Sequence, residues 1–449
     1  MAIAAEFLSQ DDIRRLHEDH VLIQFVSQKG AIDNLIPFKE GKGVYFTDTE
    51  DNKWIDFCSQ LFNLQLGHQH PNVVEAVKRQ ADRYCYVRPT SNLYDVRADF
   101  SQRLAKVTPG DLNKFYYTVA GSDAVEFAMK IAYMYTNRPK VCSFYRSYHG
   151  SNFGVKSVGG DAKNWAGGPN IPNVYKVHNP YPYRCPFGYA PEGNVDVYVQ
   201  HVIDTIEYEG PHLTAAVLME SIPGSNGMII LPPPGFLPRI KEYCESKGIL
   251  FIADEVMTGF GRTGKMFAIE HFGVVPDLMC CAKGISNGAV PMGCVAVNKK
   301  VSDFLDDNVL YVGATYSAHP LACAAASAVL QTFEEENVLQ NCDERGKEMM
   351  DRLQKFKDKY QVVGDVRSLG LLGVIELVSN RETREALTDE TIMGKLRKYY
   401  ADNHLLLFIR WQYILLVPPL VITSTELQDG LDRMEKGLAF VTSLLGDSQ

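Results

Sequence analysis

Short apolar runs alternate with amphipathic helical patterns along the chain from about Lys114 onwards. Runs such as TAAVLMES, ILFIADEV and DLMCCAKG are apolar on both faces, which is typical of strands buried in a parallel sheet. Between them lie helical patterns, among them SDAVEFAMKIAYMY and a polar helix around Val195 to Glu209. This alternation predicts an α/β fold with an open, mostly parallel sheet wound on both faces. Ligands of such sheets bind at the carboxyl ends of the strands.

The segments on either side of this region follow other patterns. GVYFTDTEDNKWIDFCS has the polarity of a hairpin, and HPLACAAASAVLQTFEEE, from His319, predicts one long helix that leaves the sheet. Beyond it, QVVGDVRSLGLLGVIELVSN and ILLVPPLVIT predict antiparallel strands of an α+β unit. We therefore expect an N-terminal segment, 1–65, that packs with the small domain, a large domain, 66–325, and a small α+β domain, 326–449.

Composition narrows the class of protein. The 449 residues are 46% hydrophobic and 22% charged, which suits a globular chain with a large core. The net charge is −9 without a long Lys/Arg run, so nucleic acid is not an expected partner. The N-terminus has acidic residues where a signal peptide has a basic start, and the apolar stretch from His404 is interrupted by Arg410 and two prolines. Neither export nor a membrane span is expected.

The 10 cysteines form no CxxC pair, and several, such as Cys280 and Cys281, lie inside apolar runs. This distribution favours reduced core cysteines in a cytoplasmic protein over a zinc site or a disulfide framework.

The chemistry centres on a lysine and an aspartate at two predicted strand ends. Asp254 follows the apolar residues ILFIA of the run ILFIADEV, and Lys283 follows DLMCCA. Each alone is weak evidence, because such a lysine is usually a surface loop residue and a buried aspartate usually accepts from backbone donors. Together they supply what pyridoxal phosphate needs. The amine bonds to its aldehyde carbon, and the carboxylate keeps its pyridine nitrogen protonated.

Three further segments lie at the predicted edge. Gly121 and Ser122 follow a strand and open a helix, where free backbone N–H groups bind phosphate, although Ser122 could equally cap the helix. Tyr148 follows the next strand and could stack on a flat ring or be an ordinary core tyrosine. Thr315 precedes the His319 helix and could bind a phosphate or start that helix.

The GFGRTG motif and Arg410 can each be interpreted in two ways. GFGRTG, residues 259–264, matches GxGxxG, but it does not directly follow a strand and no acidic residue follows at the spacing that a dinucleotide site requires. We interpret it as a wall loop of the active site. Arg410 is a cation in an apolar run, and it serves either a substrate carboxylate or sulfonate or a structural ion pair.

At this point the motifs together resemble a known family. ADEVMTGFGRTG, the AKGIS lysine, GSDAVEFAMKIA, YRSYHG, GATYSAHP and VPPLVIT, in this order, are similar to the class III (ω-) aminotransferases of the fold type I pyridoxal-phosphate enzymes. The likeness runs from about Gly43 to Met434. Within the family, YRSYHG, NPYPYRCPFG and GSNGMIILPPPGFLPRIKEYC resemble the branch that includes taurine aminotransferases, which use pyruvate or 2-oxoglutarate as acceptor.

The resemblance implies a role for each matching residue. Lys283 would be the Schiff-base lysine and Asp254 the partner of the pyridinium, with Val256 packing on the ring face opposite Tyr148. Gly121 and Ser122 would hold the phosphate. The complete set of implied cofactor-binding residues is Gly121, Ser122, Tyr148, Glu220, Asp254, Val256, Lys283 and Thr315.

The resemblance also implies the partners. Thr315 would reach in from the neighbouring subunit of a homodimer, and Glu220 would lie on the side of the cofactor's 3′ oxygen. Phe62 would shape the substrate pocket, and Arg410 would be the mobile arginine that meets the carboxylate of the 2-oxo acid acceptor.

The expected reaction is a ping-pong transfer of the terminal amine of a small ω-amino compound to 2-oxoglutarate or pyruvate. Taurine is favoured, and β-alanine and 4-aminobutyrate stay open. Three departures from the family pattern concern the site: Asp123 in place of the commoner glutamate, Met257 in place of glutamine, and a short stretch from Arg410 to Pro418. The alternatives are an aminomutase, racemase or decarboxylase of the same fold, or a catalytically silent cofactor-binding protein.

Overall fold

A computed structural model describes residues 8–165, 167–188 and 194–446. The strands are β1 (Phe38–Lys42), β2 (Tyr45–Asp48), β3 (Lys53–Asp56), β4 (Lys114–Thr118), β5 (Lys140–Phe144), β6 (Val174–Val177), β7 (Thr214–Glu220), β8 (Leu250–Asp254), β9 (Leu278–Cys281), β10 (Gly293–Val297), β11 (Val363–Leu369), β12 (Leu372–Asn380), β13 (Glu385–Ala386), β14 (Leu405–Leu406), β15 (Phe408–Arg410) and β16 (Tyr413–Leu416).

The helices are α1 (Gln10–His20), α2 (Ser59–Phe62), α3 (Pro71–Arg83), α4 (Asp95–Val107), α5 (Gly121–Thr136), α6 (Phe153–Val158), α7 (Val195–Glu209), α8 (Phe236–Lys247), α9 (Lys299–Asp307), α10 (Pro320–Glu335), α11 (Val338–Lys359), α12 (Glu390–Asp402) and α13 (Ser424–Gly446). Short 3-10 turns lie at Ala162–Asn164, Pro182–Arg184, Pro211–Leu213, Ala268–Phe272 and Lys283–Ser286. Among the described residues, no helix is both long and apolar enough to cross a membrane.

A seven-stranded sheet in the order β4-β10-β9-β8-β7-β5-β6 forms the centre of the molecule. The strands from β6 to β9 pair in parallel, whereas β10 pairs antiparallel with both β4 and β9. The connection from β9 to β10 carries only a short 3-10 turn, and a parallel pairing would need a longer crossover. The predicted α/β fold with a mostly parallel sheet is thus confirmed.

The local sequence explains the regular elements. All seven residues of β7, TAAVLME, are buried, as the continuous apolar pattern requires of a central strand. Helix α10 begins at Pro320, which suits the first turn, and its alanine-rich face packs on α3 and α4. Helix α8 ends at Lys247 and is capped by Gly248, whose φ of 64° lies in the left-handed region that favours glycine.

Two smaller sheets flank the central one. A four-stranded sheet, β1-β2-β3-β14, joins the N-terminal segment to the C-terminal part through a parallel pairing of β3 with β14. A five-stranded antiparallel sheet contains β11, β12, β16 and β15, with β13 on β12. The predicted hairpin over 43–59 and the antiparallel strands after His319 are both present, as β2–β3 and β11–β12. The domain boundaries at 65/66 and 325/326 stay a prediction.

Candidate active site

The candidate site lies at the carboxyl edge of the seven-stranded sheet. Asp254 and Glu220 are the last residues of β8 and β7 and face each other in the register of these strands. Lys283 follows β9, Gly121 follows β4, and Tyr148 follows β5. Because these strands run in one direction, the sheet brings all five residues to the same edge, where the β/α pattern predicts the ligand.

Asp254 is held by its neighbours in a fixed orientation. Its Oδ2 lies 2.6 Å from Nδ1 of His149, and its Oδ1 accepts the backbone N–H of Val256 at 2.9 Å. His149 is fully buried. Burial alone would lower the pKa of His149, but the hydrogen bond and charge of Asp254 raise it above the ordinary value of 6.5. This geometry leaves a carboxylate whose free lone pairs have a defined direction.

His149 was not identified from the sequence, although it directly follows Tyr148. Its Nε2 is buried and, within the described residues, has no hydrogen-bond partner. The only signal was its position in YHG, one residue from an aromatic side chain that was expected at the sheet edge. A histidine behind a strand-end aspartate supports that aspartate from the side away from a ligand.

Glu220 is fully buried and organises the loops around it. Its Oε1 accepts the backbone N–H of Tyr148 at 3.1 Å, and its Oε2 accepts those of Gly224 and Ser225, both at 2.9 Å. Burial and the nearby charge of Asp254 raise the pKa of Glu220 against the opposing effect of His149. In this structure Glu220 therefore holds the Tyr148 and 224–225 segments against the end of β7.

Lys283 has an unusual backbone conformation for a lysine. Its φ of 51° lies in the left-handed region, which costs roughly 1 kcal/mol for a residue with a Cβ. The side chain is half-buried, and its Nζ lies 5.0 Å from the centroid of the Phe62 ring. A Cβ on the next residue, Gly284, would lie 2.2 Å from Nε2 of Gln65, so this turn is closely packed against the Phe62 segment. Strain of this kind concentrates at functional sites.

The start of α5 offers a site for an anion. No side chain caps this helix, so the N–H groups of its first turn are free of capping oxygens. A Cβ at Gly121 would lie 2.8 Å from Cγ1 of Val256, and one at Gly150 would lie 2.3 Å from Oγ of Ser122. Gly121 and Gly150 therefore lie too close to the side chains of Val256 and Ser122 to carry a side chain of their own, and the backbone N–H groups at the start of α5 are the donors that could bind a phosphate.

Thr315 and its surroundings are exposed. Its side chain is open to solvent, and its carbonyl accepts the hydroxyl of Tyr86 at 3.0 Å. Tyr311 and Tyr316 are exposed by 81% and 59%. Large aromatic side chains that cluster on a surface in this way are typical of an interaction site.

Arg410 forms an ion pair with Asp161, a partner that the sequence did not identify. Its two terminal nitrogens donate to the two carboxylate oxygens of Asp161 at 2.6 and 2.7 Å. The Asp161 side chain is fully buried, and that of Arg410 is 14% exposed. No sequence signal linked the two residues, which are 249 positions apart. Of the two partners considered for Arg410, a substrate anion and a structural ion pair, the structure contains the ion pair.

Phe62, the remaining predicted site residue, packs edge-on against Phe408 with the ring centroids 5.3 Å apart. Phe408 and Arg410 belong to the same short strand, β15, so Phe62, Lys283 and the ion pair border one region. A separate cavity of about 1170 Å³ adjoins it, since Gly160 and Trp411 line that cavity and are chain neighbours of Asp161 and Arg410.

The residues present fit pyridoxal phosphate. The glycine-lined start of α5 suits its phosphate, the aligned Asp254 suits its ring nitrogen, and Lys283 suits its aldehyde carbon. Among the described residues, no cluster of His, Cys, Asp and Glu could hold a metal ion.

The chain is similar over most of its length to proteins of one known family. The family model "Aminotransferase class-III" matches residues 26–438. The "Probable 4-aminobutyrate aminotransferase" of Bacillus subtilis is 37% identical over 92% of this chain and 95% of its own length. A leucine/methionine racemase of Thermococcus litoralis is 34% identical over 90% of each chain.

Among solved structures, the taurine:2-oxoglutarate aminotransferase from Bifidobacterium kashiwanohense, in complex with PLP and glutamate, superposes with a TM-score of 0.93. It is 36% identical, and the match covers 98% of this chain and all of that one.

Proposed function

The chain belongs to the class III aminotransferases, and from that premise we propose that it transfers the terminal amine of a small acidic ω-amino compound, with taurine favoured, to 2-oxoglutarate or pyruvate. As a member of this family it is a pyridoxal-phosphate-dependent enzyme of fold type I. β-Alanine and 4-aminobutyrate remain as alternative donors.

The observation that carries the choice of acidic substrates is the bidentate pair of Arg410 with Asp161. A guanidinium that already binds a carboxylate through two parallel hydrogen bonds offers the geometry that a substrate carboxylate or sulfonate needs. We infer that such a substrate takes the place of Asp161 at Arg410. The likeness to a taurine:2-oxoglutarate aminotransferase supports this inference.

When bound, pyridoxal phosphate supplies an aldehyde for the amine and a pyridine ring that accepts electrons. Lys283 would hold the aldehyde carbon between turnovers and would move the proton to and from the amine-bearing carbon of the substrate. Asp254, oriented by His149 at 2.6 Å, would keep the proton on the ring nitrogen. Tyr148 and Val256 would enclose the ring, and Gly121 and Ser122 would bind the phosphate.

A donor panel tests the proposal. The purified enzyme would be given taurine, β-alanine, 4-aminobutyrate and propylamine, each with 2-oxoglutarate and with pyruvate, and the amino acid formed from the acceptor would be measured. We expect the highest kcat/KM for a donor with a sulfonate or carboxylate. Racemization of an amino acid without any need for a 2-oxo acid would favour the racemase alternative that the Thermococcus litoralis relative raises.

We further propose that the enzyme is a homodimer in which Thr315 binds the phosphate at the partner's site. The exposed Thr315 and the exposed aromatic side chains of Tyr86, Tyr311 and Tyr316 support this arrangement.

Mixed dimers of Lys283→Ala with Thr315→Asp show whether Thr315 acts across the interface or in its own subunit. If Thr315 acts across the interface, one of the two sites of each mixed dimer carries neither substitution and is active. If Thr315 serves its own subunit, both sites of the mixed dimer are impaired.

A further inference from the structure

Arg262, in the GFGRTG loop, is a fully buried cation. One terminal nitrogen, Nη1, donates to the carbonyls of Pro418 and Leu371 at 2.6 and 3.2 Å, and the other, Nη2, donates to Oγ of Ser59 at 3.2 Å. No carboxylate in the described part of the chain forms an ion pair with it. Burial lowers the pKa of Arg262 to about 10, so it stays charged at neutral pH. A buried guanidinium that no carboxylate contacts directly is costly and needs a reason.

The partner Ser59 begins a strained turn that ends at Phe62. The φ angles of Ser59, Gln60 and Phe62 are 47°, 55° and 62°, all in the left-handed region although none is a glycine. Such residues persist only where the surroundings hold them. Just before the turn, the carboxylate of Asp56 accepts the backbone N–H groups of Cys58 and Gln60.

The turn is also connected to the C-terminal part of the chain. The hydroxyl of Ser59 donates to the carbonyl of Val417 at 2.6 Å, one residue before the carbonyl that Arg262 binds. Arg262 thus connects the GFGRTG loop, the Leu371 turn, the 417–418 segment and the Phe62 turn. A planar guanidinium presents several donors at fixed angles, whereas a lysine ammonium has neither that spread nor that reach.

We infer that Arg262 is a positioning residue of the substrate pocket, which acts through Ser59 to hold Phe62 next to Lys283. The geometry behind this is the 5.0 Å separation of the Lys283 Nζ from the Phe62 ring and the packing of Phe62 on Phe408. The inference rests on the proposed function, because it makes Phe62 part of the donor pocket. Without the bond to Ser59, the turn relaxes and the ring leaves its place over the amine.

Two substitutions test the bond from both ends. Arg262→Lys keeps the charge but loses the planar fork, and Ser59→Ala keeps the guanidinium but loses its acceptor. The matched control is Arg138→Lys. Arg138 likewise donates three hydrogen bonds, in its case to the carbonyls of Pro211, Thr214 and Lys247, but these bonds lie at the start of β7, away from the site.

We expect the amides of residues 58–63 to exchange with deuterium about tenfold faster in Ser59→Ala and in Arg262→Lys, with the donor KM raised about fivefold. The visible absorbance of the bound cofactor should be unchanged, because neither Arg262 nor Ser59 is among the residues proposed to bind the cofactor. The effect of the double variant should be smaller than the sum of the two single effects, since both changes remove the shared bond between Arg262 and Ser59. Arg138→Lys should leave exchange at 58–63 and the donor KM as in the parent.

Parental exchange rates at 58–63 in both variants would overturn the inference. So would a lowered melting temperature with an unchanged donor KM, because that result marks a purely structural arginine. If the parent enzyme used none of the acidic donors, the proposed function would fail. The exchange measurement would still report on the turn, and the KM comparison would use the amine that the enzyme accepts.

Discussion

Replacing Arg410 by alanine separates the two roles that one guanidinium combines. The side chain of Asp161 is fully buried and bonds both carboxylate oxygens to Arg410. Removing Arg410 takes both of these charge-assisted bonds from a fully buried carboxylate, which costs about 3–5 kcal/mol of unfolding free energy. Loss of the charge-assisted bonds to an acceptor separately raises the activation free energy for 2-oxoglutarate by about 1.5–3 kcal/mol. This corresponds to roughly a ten- to hundredfold fall in kcat/KM for 2-oxoglutarate.

The assay combines unfolding with half-reaction kinetics. Urea unfolding gives the stability, and rapid mixing of each half-reaction gives kcat/KM for 2-oxoglutarate and for propylamine, a donor without an acidic group. The control is the double variant Arg410→Ala/Asp161→Asn, in which the buried negative charge is removed together with the guanidinium. We expect it to regain most of the lost stability while kcat/KM for 2-oxoglutarate stays low and that for propylamine is little changed. The reasoning is refuted if the double variant regains stability and normal use of 2-oxoglutarate together.

Three further predictions concern the cofactor edge. Lys283→Ala should give a folded protein with little or no turnover, and substantial amino transfer by this variant would exclude its assigned role. Asp254→Asn should still bind the cofactor but lose orders of magnitude in kcat, because an amide cannot hold the proton on the ring nitrogen; a parental kcat would contradict this. His149, whose pKa is raised, stabilises the fold fully below its ordinary pKa of 6.5 and loses that effect as the pH rises through the raised value. His149→Gln should therefore destabilise the cofactor-free protein more at about pH 6 than at about pH 9 in urea unfolding, and equal losses would show that the His149–Asp254 pair is not charged.

The strand ends could be predicted because they depend on local pattern. Continuous apolar runs identified β7, β8 and β9, and the residue after each run is placed at the sheet edge by the direction of the strand. Asp254 and Lys283 therefore followed from the same argument as the sheet, whereas Glu220 was implied only by the family resemblance. The helix α7, expected around Val195 to Glu209, has those bounds in the structure.

Contacts between distant segments could not be predicted in this way. The pair of Arg410 with Asp161 and the bonds of Arg262 to Ser59 and Pro418 join segments that only the packed domains bring together. The sequence predicted only that Arg262 belongs to a loop, because nothing in GFGRTG indicates that the arginine side chain is buried. The strain in the Phe62 turn was equally hidden, since SQLFN contains no glycine that would indicate left-handed backbone.

The most direct test of the proposed amino transfer follows the visible absorbance of the bound cofactor through one cycle. The account predicts that taurine alone bleaches the purified enzyme, and that 2-oxoglutarate or pyruvate, added after the taurine is removed, restores the absorbance with formation of glutamate or alanine. Absorbance that no acidic ω-amino compound bleaches, or turnover that proceeds without any 2-oxo acid, would contradict it.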